Sequence, residues 1–416
     1  MIGILLAGGK GKRLAPLTET KPKVLLPIVD KPVVYRPLSL LKRLGVSKII
    51  VVVHYMKDMV IDYIKRLSNE LYIDIDFVDQ GNELGTGDAV RKAIDRGLED
   101  AVIIYGDLYI DIDAISYSLL KLMNKNANFV VGVYVDDVSR YGSLIVDGDK
   151  VIDLIEKPIE GGKGIANAGI YILRSKVLKL VNEIGVSSRG EYEFTDIIKI
   201  GRAKGYEFNY ISIDPEHWHD IGYPWDLLKV NRIELSKIKE RVIKGDVESC
   251  TMIKGPVIIE DGAYIKGCSY LEGPVYIGKN VSVGPNSYIR PFTTVMDEAH
   301  IGFSVEVKES IVMEKTHAAH LIYIGDSIVA ENVNLGAGTI LANLRFDNKT
   351  VKFSINGKRI DSKRLKMGAV VGGYTKTGVN VSIMPGVKVG SYSVIYPGVV
   401  VYRDVPQKTI VKETWI

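Results

Sequence analysis

The second half of the chain carries an aliphatic residue at every sixth position, and this repeat constrains the fold more than any other feature. The repeat positions are Ile253, Ile259, Ile265, Leu271, Ile277, Val283, Ile289, Val295, Ile301 and Val307. A period of six suits neither a helix nor a flat strand, but it suits a solenoid with one short strand per hexapeptide and three strands per turn. The phase slips near Met313, returns at Val329 and resumes at Ile383, so we expect loops to leave the coil at these slips.

The same repeat relates the two cysteines of the chain, Cys250 and Cys268. Three hexapeptides make a turn of eighteen residues, which is their separation, so we expect them to stack on adjacent coils at about 4.8 Å. Free thiols are expected in a cytoplasmic protein. A disulfide stays open as the alternative, because thermophilic proteins are an exception and the abundance of Lys, Glu and Ile leans towards a thermophile. No cysteine-based metal site is indicated.

Before the repeat, short apolar runs alternate with amphipathic segments of helical length. Helical patterns cover Val33–Leu44 and Lys57–Leu67, and strand patterns cover Ile49–Val53, Ile73–Val78 and Ala101–Tyr105. This alternation predicts an α/β domain with a mixed, mostly parallel sheet covered by helices on both faces. Ligands of such sheets bind beyond the carboxyl ends of the strands, so the loops that follow the strands are the candidate site.

A third helical pattern, from Tyr223 to about Lys244, separates the two halves. We interpret it as a connecting arm. A length of 416 residues predicts about two to three domains, and the patterns place their limits at 1–222, 223–249 and 250–416.

The composition limits the classes of ligand and partner that this chain is expected to bind. The formal net charge of +4 argues against nucleic acid and anionic membrane surfaces, and it agrees with small anionic substrates. No apolar stretch approaches the roughly 18 residues of a membrane span, and Met1–Gly9 lacks the basic start of a signal peptide. We therefore expect a cytoplasmic protein without membrane contact.

A basic, glycine-rich loop follows the first apolar run, Ile2–Ala7. Its glycines and nearby cations are Gly8, Gly9, Gly11, Lys10, Lys12, Arg13, Lys21 and Lys23. Glycines let backbone N–H groups approach an anion, and fixed cations neutralise the charge of phosphoryl chemistry. A Walker A motif needs Ser or Thr where Arg13 stands, and a dinucleotide fingerprint needs Gly where Leu14 stands. From the loop alone, a glycine-rich turn with solvated lysines remains the alternative.

The full string is far more specific than its glycines. Residues 6–18 read Leu-Ala-Gly-Gly-x-Gly-x-Arg-Leu-x-Pro-Leu-Thr, and Lys-Pro pairs follow at 21–22 and 31–32. This resembles the signature of the sugar-1-phosphate nucleotidylyltransferases, which make nucleotide sugars from an NTP and a sugar phosphate. The resemblance implies a Rossmann-like nucleotidyltransferase domain with Arg13 and Lys23 as catalytic cations. It assigns nucleotide binding to Leu6, Ala7, Gly8 and Gly9.

The loop Asp79–Ala89 follows a predicted strand and opens a helix at about Thr86. A side-chain amide can satisfy both donors and acceptors on a base edge, and glycines admit a flat ring. In the resembling family this Gln-x4-Gly-Thr-x-x-Ala loop recognises the nucleobase, which implies Gln80, Gly85 and Thr86 as nucleotide contacts and leaves uracil and thymine open. Without the resemblance, an ordinary helix start capped by Thr86 is the alternative.

A carboxylate, Asp107, follows a buried-strand pattern directly. Mg²⁺ keeps waters and takes one or two carboxylates plus phosphate oxygens, so this position suits it. The second carboxylate is expected at Asp220, in a string that resembles the Trp-x-Asp-Ile-Gly of the family, although Tyr223 stands where the family usually has Thr. His217 and His219 suggest an alternative His-x-His metal site, but no further ligand cluster supports it.

Sugar recognition has its own markers. Glu-Lys-Pro at 156–158 and Ile-Ala-Asn-Ala-Gly-Ile-Tyr at 165–171 resemble family strings that line the sugar pocket. Acids and amides suit paired hydroxyls because each makes two hydrogen bonds at once. Taken singly, each of these residues is more often a surface charge or part of a turn, and their order carries the weight. The implied sugar contacts are Gly142, Glu156, Lys157, Asn167 and Glu191.

A second chemical site is indicated within the repeat, at His320. A lone histidine on a coil is more often structural, but a neutral imidazole near pKa 6.5 is suited to take a proton from an attacking amine. The surrounding string resembles the acetyltransferase half of the bifunctional enzyme that makes UDP-N-acetylglucosamine, and its archaeal relatives. The resemblance implies a left-handed parallel β-helix with His320 as general base. It assigns substrate contacts to Arg290, Lys308, Tyr323, Asn334, Asn343 and Lys349.

These strings together predict a bifunctional enzyme. It would acetylate glucosamine 1-phosphate or galactosamine 1-phosphate from acetyl-CoA, and transfer uridylyl or thymidylyl from UTP or dTTP to the sugar 1-phosphate with Mg²⁺. The competing hypothesis is a glucose-1-phosphate or mannose-1-phosphate nucleotidyltransferase whose β-helix only assembles subunits. The stretches 351–366 and 372–374 depart from the bacterial acetyltransferase pattern. A homotrimer through the β-helix is implied by the resemblance.

Overall fold

The structure, a computed structural model, describes residues 1–415. The chain forms two compact units, one made of Met1–Lys10 and Val33–Ile221, the other of Gly11–Pro32 and Gly222–Ile416. The domain limits predicted from the sequence remain a prediction beside this division. Among the described residues, no helix has the length and apolar character needed to cross a membrane.

The first unit is an α/β unit built around one large sheet. Its strands are β1 (Ile2–Leu6), β2 (Ile49–Val53), β3 (Ile75–Asp79), β4 (Ala101–Tyr105), β5 (Leu108–Ile110), β6 (Asn128–Val135), β7 (Gly142–Asp147), β8 (Lys150–Glu156), β9 (Gly164–Leu173), β10 (Phe208–Ile213) and β11 (Trp218–Asp220). Its helices are α1 (Tyr35–Arg43), α2 (Lys57–Leu71), α3 (Thr86–Ile94), α4 (Ile112–Met123), α5 (Ser175–Leu178) and α6 (Asp196–Ala203).

The large sheet is mixed, as the sequence predicts. Its nine strands run in the order β3-β2-β1-β4-β9-β6-β10-β8-β7. Pairing is parallel among the four consecutive strands β3, β2, β1 and β4 and between β6 and β10. It is antiparallel wherever β9 or β8 pairs with a neighbour. Strands β5 and β11 form a separate antiparallel pair. The carboxyl ends of the parallel strands therefore lie together, where ligands of such sheets bind.

Local patterns in the first unit predict its elements closely. Strands β2 and β4 have the predicted bounds. Both read as continuous apolar runs because their side chains are buried on both faces of the sheet. Helix α2 continues past the predicted end at Leu67 to Leu71. Helix α1 is shorter than its pattern at both ends, since terminal residues lack intrahelical partners.

The second unit is a parallel β-helix with three faces. One face contains Arg241–Ile243, Val257–Ile259, Val275–Ile277, Thr293–Val295, Ile311–Val312, Ile328–Val329, Val370–Val371 and Lys388–Val389. The next contains Asp246–Val247, Tyr264–Ile265, Ser282–Val283, His300–Phe303, His317–His320, Asn334–Leu335, Lys376–Thr377, Val394–Ile395 and Ile410–Val411. The third contains Met252–Lys254, Tyr270–Glu272, Tyr288–Ile289, Glu306–Lys308, Tyr323–Gly325, Ile340–Leu341, Ser382–Ile383 and Val400–Val401. Each strand pairs in parallel with its equivalent on the next coil, which agrees with the left-handed form expected from the resemblance.

The aliphatic repeat forms the interior of this coil, as predicted. Residues such as Ile265, Leu271 and Ile277 are fully buried and pack in one continuous core. Only one of the two phase slips is a loop. Near Met313 no loop leaves; two successive coils are each one residue shorter, so that Val295 pairs with Val312 and Val312 with Val329. Beyond Leu341 the chain does leave the coil and forms a hairpin, Lys352–Ile355 with Lys358–Asp361.

The connecting arm is helical over less of its length than the sequence pattern predicts. Helix α7 covers Pro224–Ser236, whereas the helical pattern runs from Tyr223 to about Lys244 within the predicted linker 223–249. Arg241–Ile243 already pairs in parallel with Val257–Ile259 as a strand of the coil. The apolar residues near the end of the helical pattern therefore belong to the first coil of the β-helix. There the strand period of two residues replaces the helical period of 3.6.

Candidate active sites

The end of β1 and the loop after β3 meet at Gln80. The Gly8 Cα faces this side chain so closely that a Cβ there would lie 3.3 Å from Gln80 Oε1. Gln80 is buried, and its Nε2 donates to Gly85 O at 2.9 Å and to Asp88 Oδ2 at 3.1 Å. Gly9 has open space around it, which a phosphate-approaching backbone needs. The structure thus brings together the predicted base-recognition residue and part of the glycine loop, which begins at Leu6 and Ala7.

Gly85 and Thr86 are fixed by the chain near Tyr192. Gly85 has φ of 106°, and a Cβ there would lie 2.6 Å from Tyr192 O, so only glycine fits. Thr86 begins α3, and its Oγ1 accepts a hydrogen bond from Phe194 N at 3.0 Å. Its hydroxyl is therefore used to hold the wall that also carries Glu191, rather than to cap its own helix.

The two predicted metal ligands lie at one end of the β5–β11 ladder. Asp220 pairs with Leu108, the residue after Asp107, and Ile221 N donates to Asp107 O at 3.4 Å. Arg140 Nη2 lies 3.8 Å from Asp220 Oδ2. No group of three or more acidic, His or Cys side chains within residues 1–415 could hold a metal ion. Two carboxylates fit Mg²⁺, which completes its shell with water and phosphate oxygens.

The two histidines of the alternative His-x-His site lie in β11 and directly before it. The His219 ring stacks on Tyr109 at 5.8 Å between centroids, and His217 Nδ1 lies 3.8 Å from Asp111 Oδ2. Within the described part of the chain they belong to no group of ligands that could hold a metal.

Three of the predicted sugar-pocket residues, Gly142, Glu156 and Asn167, lie on the neighbouring strands β7, β8 and β9. Glu156 pairs with Gly142, and a Cβ on Gly142 would lie 3.0 Å from Glu156 Oε2. Lys157 follows Glu156 and has φ of 47°. Asn167 is buried, donates from Nδ2 to Tyr171 Oη and accepts from Gly169 N at 3.1 Å. Glu156 is thus approached closely by the Gly142 backbone, while Asn167 is held rigidly by its own strand.

The sequence reasoning missed an arginine and two further polar residues at this wall. Arg189 Nη1 lies 3.5 Å from Glu156 Oε1 and 3.0 Å from Glu193 Oε1, and its Nη2 lies 3.8 Å from Glu191 Oε2. Thr195 Oγ1 donates to Glu156 Oε2 at 3.4 Å. Burial raises the pKa of Glu193, an effect that the nearby Arg189 opposes. The sequence did offer a signal for this cluster, because three acids and a threonine follow Arg189, at Glu191, Glu193, Asp196 and Thr195.

The partly buried Tyr105 and the fully buried Tyr171 complete the wall. Burial raises the pKa of Tyr105 well above its usual value, and the adjacent Tyr171 adds to the shift. Burial likewise raises the pKa of Tyr171, whose hydroxyl accepts from Asn167. Both hydroxyls therefore stay protonated and serve as neutral hydrogen-bonding groups.

Arg13 and Lys23 lie in the second unit, in the segment Gly11–Pro32. The Arg13 guanidinium lies over the ring of Tyr223 at 5.1 Å, and this ring stacks on Trp225. Lys23 is buried, and a Cβ on Gly11 would lie 2.9 Å from Lys23 Cβ. Tyr223, the departure from the family pattern, thus supports one of the two predicted cations.

In the β-helix, a buried carboxylate joins three predicted substrate contacts. Asp326, only 1% exposed, accepts from Lys308 Nζ at 2.8 Å and from Asn343 Nδ2 at 2.5 Å through Oδ2. Asn343 Nδ2 also donates to Tyr323 Oη at 3.1 Å. Burial raises the pKa of Tyr323, and Asp326 adds to the shift. Arg364 Nη2 lies 3.4 Å from the other oxygen of Asp326.

The remaining residues that the sequence predicts for the acetyl-transfer site are more exposed. His320 is exposed at the end of the strand His317–His320, three residues before Tyr323, and Asn334 is exposed on the next coil opposite His317. Arg290 Nη1 pairs with Glu306 Oε1 at 2.8 Å. Lys349 is exposed in the loop beyond Leu341, and its backbone N–H donates to Asp347 Oδ1 at 3.2 Å.

Asp326 and Arg364 were missed by the sequence reasoning. Asp326 has φ of 47°, which marks a corner of the coil and gives it the appearance of an ordinary turn residue. Arg364 lies 38 positions away, in the stretch that departs from the bacterial pattern. The charge of Lys308 is thus balanced by a buried acid that no local motif indicates.

Comparisons with known proteins cover both units. A family model described as nucleotidyl transferase matches residues 2–237, and one described as the GMPPB C-terminal domain matches residues 271–365. The chain is 43% identical to a bifunctional sugar-1-phosphate nucleotidylyltransferase/acetyltransferase of Sulfurisphaera tokodaii, over 97% of this chain and 98% of that protein. It is 42% identical to the bifunctional protein GlmU of Methanocaldococcus jannaschii and 40% identical to that of Methanococcus aeolicus, each over 99% of this chain and 97% of the relative.

Proposed function

The chain belongs to the nucleotidyl transferase family and, along its whole length, to the bifunctional sugar-1-phosphate nucleotidylyltransferase/acetyltransferases, and from this membership we propose its substrates and the residues that act on them. It is a bifunctional enzyme of nucleotide-sugar synthesis that catalyses nucleotidyl transfer and acetyl transfer. The observation that carries this conclusion is that the similarity to bifunctional relatives spans both units. A nucleotidyltransferase with a purely structural β-helix is therefore disfavoured.

For nucleotidyl transfer, we propose in-line attack of the sugar phosphate on the α-phosphorus of UTP or dTTP, with release of pyrophosphate. Arg13 and Lys23 neutralise pyrophosphate and substrate phosphate, and the backbone from Leu6 to Gly9 approaches the triphosphate. Gln80, with Gly85 and Thr86, reads the base. The proposed contacts of the sugar hydroxyls are Gly142, Glu156, Lys157, Asn167 and Glu191.

Asp107 and Asp220 would hold Mg²⁺, which neutralises and polarises phosphate oxygens when it is bound. Their place at one end of the β5–β11 ladder supports this assignment. Arg140 Nη2 lies 3.8 Å from Asp220 Oδ2 and partly balances the charge of that carboxylate. No covalent intermediate with the protein is needed.

For acetyl transfer, His320 removes a proton as the amine of glucosamine 1-phosphate or galactosamine 1-phosphate attacks the thioester of acetyl-CoA. The nitrogen–carbon bond forms, the thiolate of CoA leaves, and backbone N–H groups stabilise the oxyanion. Tyr323 and Asn343 contact the substrate from positions fixed by Asp326. Further substrate contacts are proposed, from the family resemblance, for Arg290, Lys308, Asn334 and Lys349.

Two variants test the proposal. Asp107→Ala should reduce pyrophosphate release by at least about 10²-fold and spare thiol release from acetyl-CoA, because only the metal ligand is lost.

His320→Ala should reduce thiol release by about 10²–10⁴-fold and spare pyrophosphate release. Absence of thiol release with both amino sugars in the wild-type protein, while nucleotidyl transfer persists, would refute the acetyl-transfer assignment.

We further propose a homotrimer assembled through the β-helix and a cytoplasmic location. Light scattering would give three times the chain mass of 46.0 kDa for the trimer. A mass equal to one or two chains would contradict it.

A further inference from the structure

The segment that carries Arg13 and Lys23 is tied to the β-helix by specific contacts. Ser391 N, on a coil of the helix, donates to Glu19 Oε2 at 2.7 Å, and Ser391 Oγ donates to Pro16 O at 3.3 Å. Ser391 is itself fully buried. These bonds fix the backbone in the middle of the signature string.

A partly buried ionic cluster holds the same segment two residues before Lys23. Lys21, 12% exposed, donates from Nζ to Glu314 Oε1 and lies 3.8 Å from Glu331 Oε2. Glu314 and Glu331 lie on adjacent coils, since Asn332 N donates to Glu314 O. A buried charge is costly unless it is paired, so the ammonium of Lys21 is confined to this position between two acids.

Two glycines of the coil permit this close approach. A Cβ on Gly373 would lie 2.8 Å from Thr20 Oγ1 and 2.7 Å from Glu331 Oε1. A Cβ on Gly372 would lie 2.9 Å from Pro16 Cβ. The signature segment, together with Ser391 and Glu331 of the coil, thus leaves no room for a side chain at 372–373, where the sequence departs from the acetyltransferase pattern.

We propose that Lys21, Glu314, Glu331 and Gly373 are positioning residues for nucleotidyl transfer. The β-helix fixes the loop that presents the two catalytic cations, in addition to carrying the acetyl-transfer site. The proposal rests on the proposed role of Lys23, whose backbone position is set by Lys21. A displacement of about 1 Å at a phosphate-binding group costs on the order of 10²-fold in rate.

The test compares Lys21→Met and Gly373→Ala with the wild-type enzyme, by kcat and KM for both pyrophosphate release and thiol release. We expect kcat of nucleotidyl transfer to fall about 10–100-fold, with KM for acetyl-CoA and the rate of acetyl transfer within about twofold of wild type. Lys21→Arg, which keeps the charge, should restore most of the rate. Lys315→Met is the matched control, because Lys315 is exposed and pairs with Glu298 at 3.8 Å.

Wild-type nucleotidyl transfer in both Lys21→Met and Gly373→Ala would overturn the proposal. Equal loss of both activities together with a lowered melting temperature would also overturn it, since the cluster would then only stabilise the coil. Failure of the underlying assignment has a different signature. Full pyrophosphate release in Lys23→Ala would refute the role of Lys23, whatever the Lys21 variants do.

Discussion

At the scale of single residues, the partners of Gln80 determine what it offers a ligand. Its amide nitrogen donates to Gly85 O and to a carboxylate oxygen of Asp88, and both of these groups are acceptors. The orientation of the amide is therefore fixed by chemistry. The oxygen Oε1 remains to accept a hydrogen bond near Gly8.

This orientation predicts a preference among pyrimidine nucleotides. Uracil and thymine carry an N3–H that can donate to Gln80 Oε1, whereas N3 of cytosine is an acceptor and would face another oxygen. We expect kcat/KM for CTP to be lower than for UTP and dTTP by about 10²-fold or more, because a buried group would be left unpaired. Comparable kcat/KM for CTP in a pyrophosphate-release assay would contradict this.

The stacking of Cys250 and Cys268 predicted from the repeat is present. The two Sγ atoms lie 3.1 Å apart, and both residues are exposed free cysteines. The hydrogen bond with Cys250 raises the pKa of the Cys268 thiol, which lowers its thiolate fraction at neutral pH.

We predict that a thiol-specific disulfide reagent titrates two thiols in the unfolded reduced protein. Treatment of the folded protein with a diazene oxidant should remove both and form one intramolecular disulfide, with loss of two hydrogens by mass and reduction of the oxidant to the hydrazine. Retention of two titratable thiols after oxidation, or covalent dimers on a non-reducing gel, would show that the pair is not juxtaposed in solution.

At the scale of elements, Glu309 connects three parts of the second unit. Arg232 of α7 lies 3.1 Å from Glu309 Oε2, and Arg364, from the loop after the hairpin, lies 2.7 Å from Glu309 Oε1. Burial alone would raise the pKa of Glu309, but the hydrogen bond and charge of Arg364 lower it overall. The ionised form is therefore favoured in the folded state.

Glu309→Gln should lower the free energy of unfolding at pH 7 by about 2 kcal/mol, through loss of charged hydrogen bonds. Because the folded pKa is lowered, this stabilisation is present above the usual pKa of about 4.3 and is lost as pH falls through the folded value. The difference from wild type in urea unfolding should shrink between pH 5 and pH 3. The exposed Glu298→Gln should change stability by less than about 1 kcal/mol at either pH.

Elements were predicted from sequence as far as local periodicity reaches. Strands such as Ile49–Val53 and the buried positions of the coil follow directly from apolar patterns. The two shortened coils near Met313 could not be distinguished from a loop, since deletion of one residue and insertion of a loop both shift a period of six. The end of α7 at Ser236 depends on coil pairing that begins at Arg241.

At the scale of the whole molecule, the two activities reside in one chain. The two steps can nevertheless take place on different enzyme molecules if the acetylated sugar phosphate is released between them. Asp107→Ala retains acetyl transfer by our proposal, and His320→Ala retains nucleotidyl transfer. An equimolar mixture of the two variants should therefore convert glucosamine 1-phosphate, acetyl-CoA and UTP to the acetylated nucleotide sugar, while either variant alone should not. Lack of product from the mixture would show that the acetylated sugar phosphate is not released between the steps.

The sequence by itself determined the classes of fold and the two kinds of chemistry, because periodic burial and short contiguous motifs are local properties of a chain. The tertiary structure decided which distant groups balance one another. It pairs Lys308 with the buried Asp326, surrounds Arg189 with three acids, and places Lys21 between Glu314 and Glu331. Lys21 and Glu314 are 293 positions apart, and no local pattern encodes a contact at that separation. A buried charge such as that of Asp326 must find a partner wherever folding places one, so its pairing follows from burial rather than from sequence neighbourhood.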